Sequence, residues 1–215
     1  VEFQGDSVIW TDVATKQESL KDLINLSNPV ESKSNEFFIF KKSWDESLGT
    51  TNQLLQLRRS DYKVDTLYDH STAKKKIPGF GSLTHIYEAS DGGFWITTYG
   101  EGITEFDIST GEFTHYGIKQ GLPNSYIYAI YEDLAGHMWM SSNYGIIKMN
   151  PNKIAFRQYG LADGIQNFEY NSESHAQGED GTLYFGGLSG LNYFNPNTME
   201  DNQNKPTILI ENFTK

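Results

Sequence analysis

Carboxylates, histidines and one serine are the side chains of this chain that could catalyse a reaction or bind a metal. Glu169 and Glu173 could act as acid and base, but a glycosidase needs two carboxylates facing each other across a bond, which the sequence does not show. The five histidines lack the His-x-His and His-Glu-x-x-His spacings of zinc sites. Ser189 lies outside a Gly-x-Ser-x-Gly motif, and there is no cysteine. We therefore predict no enzymatic activity, no metal site and no cofactor in this chain.

A second set of side chains could bind a ligand without changing it. It combines aromatic rings with amides, a hydroxyl and carboxylates. An aromatic face can stack on a sugar ring, and the polar groups can form hydrogen bonds with sugar hydroxyls. The candidate ligand-binding residues are Tyr99, Glu101, Asn124, Tyr126, Asn143, Tyr144, Asn167, Glu169, Tyr170 and Ser189. Whether they form one site depends on the elements that carry them.

Those elements repeat along the chain. Three segments align with one another, at residues 88–98, 132–142 and 177–187. Their turn glycines, Gly92, Gly136 and Gly181, are 44 and 45 residues apart, and a second glycine recurs at spacings of 43 and 45. A period of about 40–45 residues that carries four short strands is typical of a β-propeller blade.

Each repeat divides into strands at its turn residues. In the first regular repeat we predict strands at 83–88, 94–98, 102–107 and 112–116. The second repeat covers about 126–159 and the third about 172–194, with its fourth strand missing or supplied by 207–212. In a propeller, the loops between second and third strands and the links from one blade to the next gather on one face. This arrangement would bring the ten candidate residues together.

Aromatic residues also recur inside the repeat. Trp95, Trp139 and Tyr184 each follow the turn glycine by three positions. We expect them to pack between neighbouring blades rather than to serve as stacking platforms for sugars. Asp91 and Asp180 precede turn glycines, and we expect them to cap tight turns rather than to bind calcium.

The first 82 residues lack this glycine and tryptophan pattern. Residues 36–42, 53–59 and 63–69 are predicted as three strands of a degenerate blade, and 7–13 could belong to another. A weak helical periodicity at 18–26 favours a short helix or an insertion. We therefore expect degenerate blades at 1–82 and three regular blades at 83–205.

Composition and length restrict the remaining possibilities. The 215 residues include 17 Lys and Arg against 28 Asp and Glu, a net charge of −11 that argues against nucleic-acid binding. Thirteen Tyr, 13 Phe, 4 Trp and 20 Gly favour an ordered, β-rich protein, and no apolar run approaches the roughly 18 residues of a membrane span. The length allows about five blades. We predict an all-β, incomplete propeller of about four to five blades with four antiparallel strands each.

The repeat resembles a known family, the two-component regulator propeller repeat. The resemblance lies in Asp91-Gly-Gly-Phe-Trp-Ile, in Gly102-Ile-Thr-Glu-Phe-Asp and in the link that begins Gly121-Leu-Pro-Asn-Ser-Tyr. The last repeat, from Gly181, is similar to the version that precedes a β-sandwich domain named for three tyrosines, and residues 206–215 look like the truncated first strand of that domain.

The resemblance implies a location and a function. Such propellers form the periplasmic sensor of membrane-anchored receptors, commonly hybrid two-component histidine kinases, in which they detect glycan fragments. It thus implies an oligosaccharide ligand and a homodimer formed through the parent receptor. Because the chain begins at Val1, without Met or a signal peptide, we expect it to be a piece of a longer protein.

Two other functions stay open from the sequence. The propeller could be a dimerisation or interaction scaffold without a small-molecule site. It could also be a lyase or glycosidase, in which case Glu169 and Glu173 would be the acids to test.

Overall fold

The structure, a computed structural model, describes residues 2–4, 7–9, 26–34, 36–42 and 52–199. Its regular elements in these residues are β-strands and short 3-10 turns, so the all-β prediction is confirmed. In the part of the chain described, no helix is long and apolar enough to cross a lipid bilayer.

A four-stranded antiparallel sheet forms the first blade, and two short strands precede it. The short strands are β1 (Glu2–Gln4) and β2 (Ser7–Ile9), which pair with each other. The first blade contains β3 (Leu26–Glu31), β4 (Phe37–Lys42), β5 (Gln53–Arg58) and β6 (Val64–Asp69) in that order.

Two further four-stranded sheets and one three-stranded sheet follow. The second blade contains β7 (Leu83–Glu88), β8 (Phe94–Thr98), β9 (Gly102–Phe106) and β10 (Phe113–Tyr116). The third contains β11 (Ile127–Glu132), β12 (Met138–Ser142), β13 (Gly145–Asn150) and β14 (Ala155–Tyr159). The last described sheet contains β15 (Tyr170–Gln177), β16 (Leu183–Gly187) and β17 (Gly190–Phe194). Each strand pairs with its neighbour in the chain, as in propeller blades.

Two details differ from the sequence predictions, and two further predictions fall outside the described residues. Leu26, placed at the end of a possible helix, begins β3 instead, and the remaining residues of that segment, 18–25, lie outside the described residues. The last sheet begins at Tyr170 rather than at 172. The predicted strand at 207–212 and the predicted start of a β-sandwich at 206–215 also lie outside the described residues.

The first strands of the four sheets lie beside one another. β7 contacts β3 and β11, and β11 contacts β15. Each of these strands has a register irregularity where it pairs with the second strand of its sheet. A β-bulge bends a strand and increases its twist. The recurring bulge therefore shapes the inner strands in the same way in all four sheets.

Hydrophobic seams between successive sheets form the core. Because side chains alternate along a strand, each β-strand faces two different seams. In the second blade, Phe94 and Ile96 face the first blade, whereas Trp95 faces the third. Trp139 faces the last sheet in the same way. Trp95 and Trp139 therefore pack between blades, as predicted, and Tyr184 is only half-buried on the last sheet.

Candidate functional site

The links between blades are built from a recurring glycine motif. A 3-10 turn at Ile118–Gln120 follows the second blade and one at Leu161–Asp163 follows the third. Each turn ends at a glycine with a left-handed backbone, Gly121 at φ 94° and Gly164 at φ 92°. Since glycine adopts this conformation without steric cost, the two links take the same path. They deliver the candidate residues to the same edge of each blade.

A second glycine holds each link against its blade. Gly145 has φ +93°, and its N–H donates to the Phe168 carbonyl at 2.7 Å. A Cβ atom there would lie 2.3 Å from the Tyr159 carbonyl oxygen, so only glycine fits. Gly102 repeats this arrangement in the second blade, where its N–H donates to Ser125 at 2.9 Å. The loop between second and third strands and the following link are thereby joined.

Three tyrosines form the first part of the site. Tyr99 pairs with Tyr126 in an isolated β-bridge, and their rings meet edge to face with centroids 4.7 Å apart. The Tyr128 ring lies 6.1 Å from that of Tyr99. Tyr99 is 54% exposed and Tyr126 37% exposed, so both present aromatic surface to solvent. The Asn124 side chain fixes this turn by accepting the Tyr126 N–H at 2.7 Å.

A second aromatic pair lies at the next link. The rings of Tyr144 and Phe168 are stacked, with centroids 4.6 Å apart and planes at 7°, and Tyr144 is 52% exposed. Asn167 Nδ2 donates to Ser189 Oγ at 2.9 Å. This pair therefore has amide and hydroxyl groups beside an exposed ring.

Asn143 and Glu169 connect the two parts. The Asn143 N–H donates to the Tyr126 carbonyl at 3.3 Å, which places Tyr144 next to the first group. Among the described residues the buried Asn143 Oδ1 has no hydrogen-bond partner. The Tyr128 hydroxyl donates to Glu169 Oε1 at 2.7 Å. We call the resulting surface the aromatic strip, and it consists of Tyr99, Tyr126, Tyr128, Asn143, Tyr144, Asn167, Phe168, Glu169 and Ser189.

Burial and hydrogen bonding set the protonation of the aromatic strip. Burial raises the pKa of Tyr128, and the hydrogen bond to Glu169 raises it further. The phenol therefore stays protonated at neutral pH and keeps donating to the carboxylate. This bond ties the third blade to the start of the last sheet.

Three of the ten candidate residues are not part of the aromatic strip: Asn124 only caps the turn that carries Tyr126, and Tyr170 and Glu101 lie apart from the strip. Tyr170 was predicted in a loop, but it begins β15 with its side chain fully buried. Its hydroxyl donates to Asn192 Oδ1 at 2.7 Å, and burial raises its pKa to about 12. Tyr170 is therefore a core residue, and its selection as a ligand contact was wrong. Glu101 lies beside Gly79, and its charge acts on His115, towards the outer strand of the second blade.

Sequence reasoning missed Tyr128 and Phe168. Tyr128 was placed only within the second repeat, and in the structure it lies in β11 at the register shift between Ile127 and Ala129. Phe168 stands between two selected residues, and its role depends on stacking with Tyr144 across a turn. A register irregularity interrupts the period-two alternation at Tyr128, so neither residue could be recognised from local sequence spacing.

The aromatic strip has the composition of a binding surface. The described residues contain no group of three or more His, Asp or Glu that could hold a metal ion. Glu173 lies in β15 with a left-handed backbone, φ 62°, and its side chain is exposed. What the strip offers is flat aromatic surface beside amide, hydroxyl and carboxylate groups, which is a common composition of small-molecule sites.

Comparison with protein families identifies one link of the propeller. The model described as "two component regulator propeller" matches residues 121–144, from the link glycine through β11 and β12 to the exposed Tyr144. The chain carries a two-component regulator propeller repeat. The sequence resemblance is thereby confirmed. The propeller repeat includes four residues of the aromatic strip: Tyr126, Tyr128, Asn143 and Tyr144.

A histidine kinase contains a similar segment. Histidine kinase P4 of Formosa agariphila is 32% identical over 121 residues. The match covers 56% of this chain and 8% of the kinase. The chain thus spans a small part of the length of this relative.

Solved structures show the same fold around the propeller repeat. The extracellular domain described as belonging to the hybrid two-component system BT3049 of B. thetaiotaomicron matches with a TM-score of 0.60 and 24% identity, over 80% of this chain and 22% of that one. The extracellular domain of BT4673 from the same organism, described as a one-component system, matches with a TM-score of 0.59 and 20% identity, over 85% and 26%. The WD40 β-propeller domain of Doa1 matches with a TM-score of 0.50 and 16% identity, over 77% and 49%. The fold is that of β-propeller blades.

Proposed function

We propose that this chain is a ligand-binding segment of the sensor of a two-component regulator, and that it recognises an oligosaccharide through the aromatic strip. The observation that carries the proposal is the pairing of exposed tyrosine faces with amide and carboxylate groups on one edge of three successive blades. Sugars present apolar ring faces and many hydroxyls, so they need this combination of partners.

The relatives support the sensor part of this proposal. The similar segment of the F. agariphila protein belongs to a histidine kinase, and the two B. thetaiotaomicron structures are extracellular domains of regulators. By analogy, the chain is a periplasmic or extracellular segment of a membrane-anchored, dimeric receptor. In this proposal the segment itself is not an enzyme, and kinase activity belongs to the parent protein.

The aromatic strip spans blades, which gives ligand binding a route to the rest of the receptor. Tyr99 belongs to the second blade, Tyr144 to the third, and Glu169 and Ser189 to the last sheet. A ligand that contacts all three would bias the angles between them, because a ligand shifts an equilibrium by its differential affinity for the two states. This is how binding at the strip would be passed on.

Isothermal titration calorimetry with a panel of oligosaccharides tests the proposal. At least one sugar should bind, and Tyr144→Ala should weaken its binding by about tenfold or more through loss of the exposed stacking surface. Tyr193→Ala is the matched control, since Tyr193 is 72% exposed on the last sheet and lies outside the aromatic strip. Binding that is lost equally in both variants, or no binding of any sugar by the wild-type protein, would contradict the proposal.

A further inference from the structure

In the third blade, both the indole N–H and the aromatic ring of Trp139 have interaction partners. Trp139 Nε1–H donates to Asp133 Oδ2 at 2.8 Å, and Lys148 Nζ lies 5.1 Å from the ring centre. Trp139 is 1% exposed, and its ring stacks on Tyr159. The indole donor and the indole ring are therefore both satisfied by groups of the same blade.

The second blade keeps the tryptophan but replaces both partners. Trp95 pairs in register with Glu105, at the position that Lys148 takes opposite Trp139. Ala89 precedes the turn glycine by three residues, as Asp133 does in the third blade. The ring keeps its orientation, since Trp95 stacks on Tyr116 at 5.7 Å and 21°, compared with 5.3 Å and 26° for Trp139 on Tyr159.

These replacements leave the Trp95 indole N–H without an acceptor among the described residues. The side chain is nevertheless only 3% exposed. The Nε1 atom is not one of the fully buried side-chain atoms that lack a partner, so it keeps access to water or to a bound group. A ligand oxygen that accepted this hydrogen bond would replace water at the Trp95 donor.

Trp95 lines a cleft that separates the second and third blades. The cleft has a volume of about 250 Å³, far more than the roughly 10–15 Å³ that one water molecule needs. Its lining residues are Ala89, Asp91, Trp95, Glu105, Glu132, Gly136, Met138, Pro151 and Asn152. Among the described residues, the lining thus contains three carboxylates and no lysine or arginine. We call it the Trp95 cleft.

The three carboxylates have only partial protein partners. Glu105 Oε2 accepts the Tyr116 hydroxyl at 2.9 Å, and Asp91 Oδ1 accepts the Gly93 N–H at 2.9 Å. Both oxygens of Glu132 accept from Ser90, at 2.6 and 2.7 Å. A carboxylate can accept about four hydrogen bonds, so each retains capacity for a donor. The cleft therefore favours a positively charged donor close to the Trp95 indole.

We propose that the Trp95 cleft binds a protonated amine that also carries a neutral oxygen acceptor, the chemistry of amino sugars and amino alcohols. The ammonium group takes the role that Lys148 has in the third blade, and it is held by the carboxylates. A hydroxyl oxygen takes the role of Asp133 and accepts the Trp95 Nε1–H. A ligand carboxylate does not fit, because three carboxylates would repel it.

The Trp95 cleft is independent of the aromatic strip. It is lined by the turns between first and second strands, at Asp91 and Gly136, and between third and fourth strands, at Pro151. The aromatic strip lies at the loops between second and third strands, at the opposite end of the same antiparallel strands. Failure of sugar binding at the strip would therefore leave this proposal standing.

Nuclear magnetic resonance of the ¹⁵N-labelled indole groups tests the proposal on the full chain. Trp95→Phe assigns the Trp95 Nε1–H signal. Glucosamine should move that signal in a saturable manner and leave the Trp139 signal in place, whereas glucose, which lacks the amine, should bind about tenfold more weakly or less. An unmoved Trp95 signal, or equal effects of glucosamine and glucose, would overturn the proposal.

A variant that rebuilds the third-blade arrangement gives a second test. Ala89→Asp combined with Glu105→Lys supplies both missing partners, so we expect a folded protein that binds glucosamine at least about tenfold more weakly. Glu112→Gln is the control, because it changes the net charge by the same amount as the double variant, at an exposed site of the same blade outside the cleft. Glu105→Gln, which keeps the shape and removes one charge, should weaken binding even if the double variant does not fold. Unchanged affinity in the folded double variant or in Glu105→Gln would refute the assignment.

Discussion

At the residue scale, a pair of histidines on the inner strands contacts a tyrosine. The rings of His85 on β7 and His175 on β15 are 4.5 Å apart, and the Tyr131 hydroxyl of β11 lies 2.7 Å from His175 Nδ1. The Ile130 N–H donates to His85 Nδ1 at 3.2 Å. Burial, followed by repulsion from His175, lowers the pKa of His85 to about 3, and burial lowers that of His175. The folded protein thus keeps both rings neutral.

From this histidine pair we predict that mild acid lowers the free energy of unfolding. The unfolded chain binds protons on histidine near pH 6.5, whereas folded His85 does so only near pH 3. The stabilisation is therefore complete above about pH 6.5 and falls between pH 6.5 and 3, by up to about 1.4 kcal/mol per pH unit for one histidine. Urea unfolding between pH 7.5 and 5 should show this slope, and His85→Gln should reduce it. Equal pH dependence of the unfolding free energy in the wild-type protein and in His85→Gln would contradict this role of the histidine pair.

At the scale of a single element, the turn between β11 and β12 is organised by one buried carboxylate. Asp133 is 8% exposed, and its Oδ1 accepts the N–H groups of Ala135 and His137 at 2.9 Å each. Its Oδ2 accepts from Trp139 Nε1. The corresponding turn of the second blade has Asp91, which is exposed and accepts the Gly93 N–H. The predicted turn capping by Asp91 and Asp180 is confirmed, because each side chain accepts the backbone N–H of the residue two positions later in the chain.

We expect Asp133→Ala to destabilise the protein by about 2–4 kcal/mol, because two backbone donors and a buried indole N–H lose a charged acceptor together. Asp91→Ala removes an exposed cap with one such bond and should cost less than about 1 kcal/mol. Thermal or urea unfolding of the two variants gives the comparison. Similar losses of stability would show that the Trp139 hydrogen bond contributes little.

At the scale of the whole molecule, stability is divided among seams between successive sheets. Ile39 lies in the seam between the first and second blades, and Phe185 lies in the seam between the third blade and the last sheet. Both side chains are fully buried. In an array of stacked units, stability depends on each unit and on the interface with its neighbours.

Hydrogen exchange of the backbone amides should reveal this division. Ile39→Ala should cost about 2–4 kcal/mol and speed exchange chiefly in β3–β6 and β7, while Phe185→Ala should do so in β15–β17 and β11. The two variants are matched, since each removes a fully buried side chain from one seam. A uniform increase over all sheets in both variants would indicate a single cooperative unit instead.

The blade architecture could be predicted from the sequence alone, because it depends on local signals that recur at a constant period. Turn glycines, strand lengths and the alternation around Trp95 and Trp139 depend on residues a few positions apart, so they could be recognised without coordinates. The first blade was harder to predict, since its strands lack that glycine and tryptophan pattern, and Leu26 was misplaced for that reason.

The two candidate sites depended on the tertiary structure. The loop position of nine candidate residues followed from topology, but the stacking of Tyr144 on Phe168 and the bond from Tyr128 to Glu169 join residues 24 and 41 positions apart. The burial of Tyr170 likewise follows from where β15 begins. In the second blade, Ala89 stands where the third blade has Asp133, and Glu105 stands where it has Lys148. The importance of these replacements follows only from the contacts that Asp133 and Lys148 make with Trp139 in the structure. Packing across a seam is a property of two blades together, and neither repeat encodes it alone.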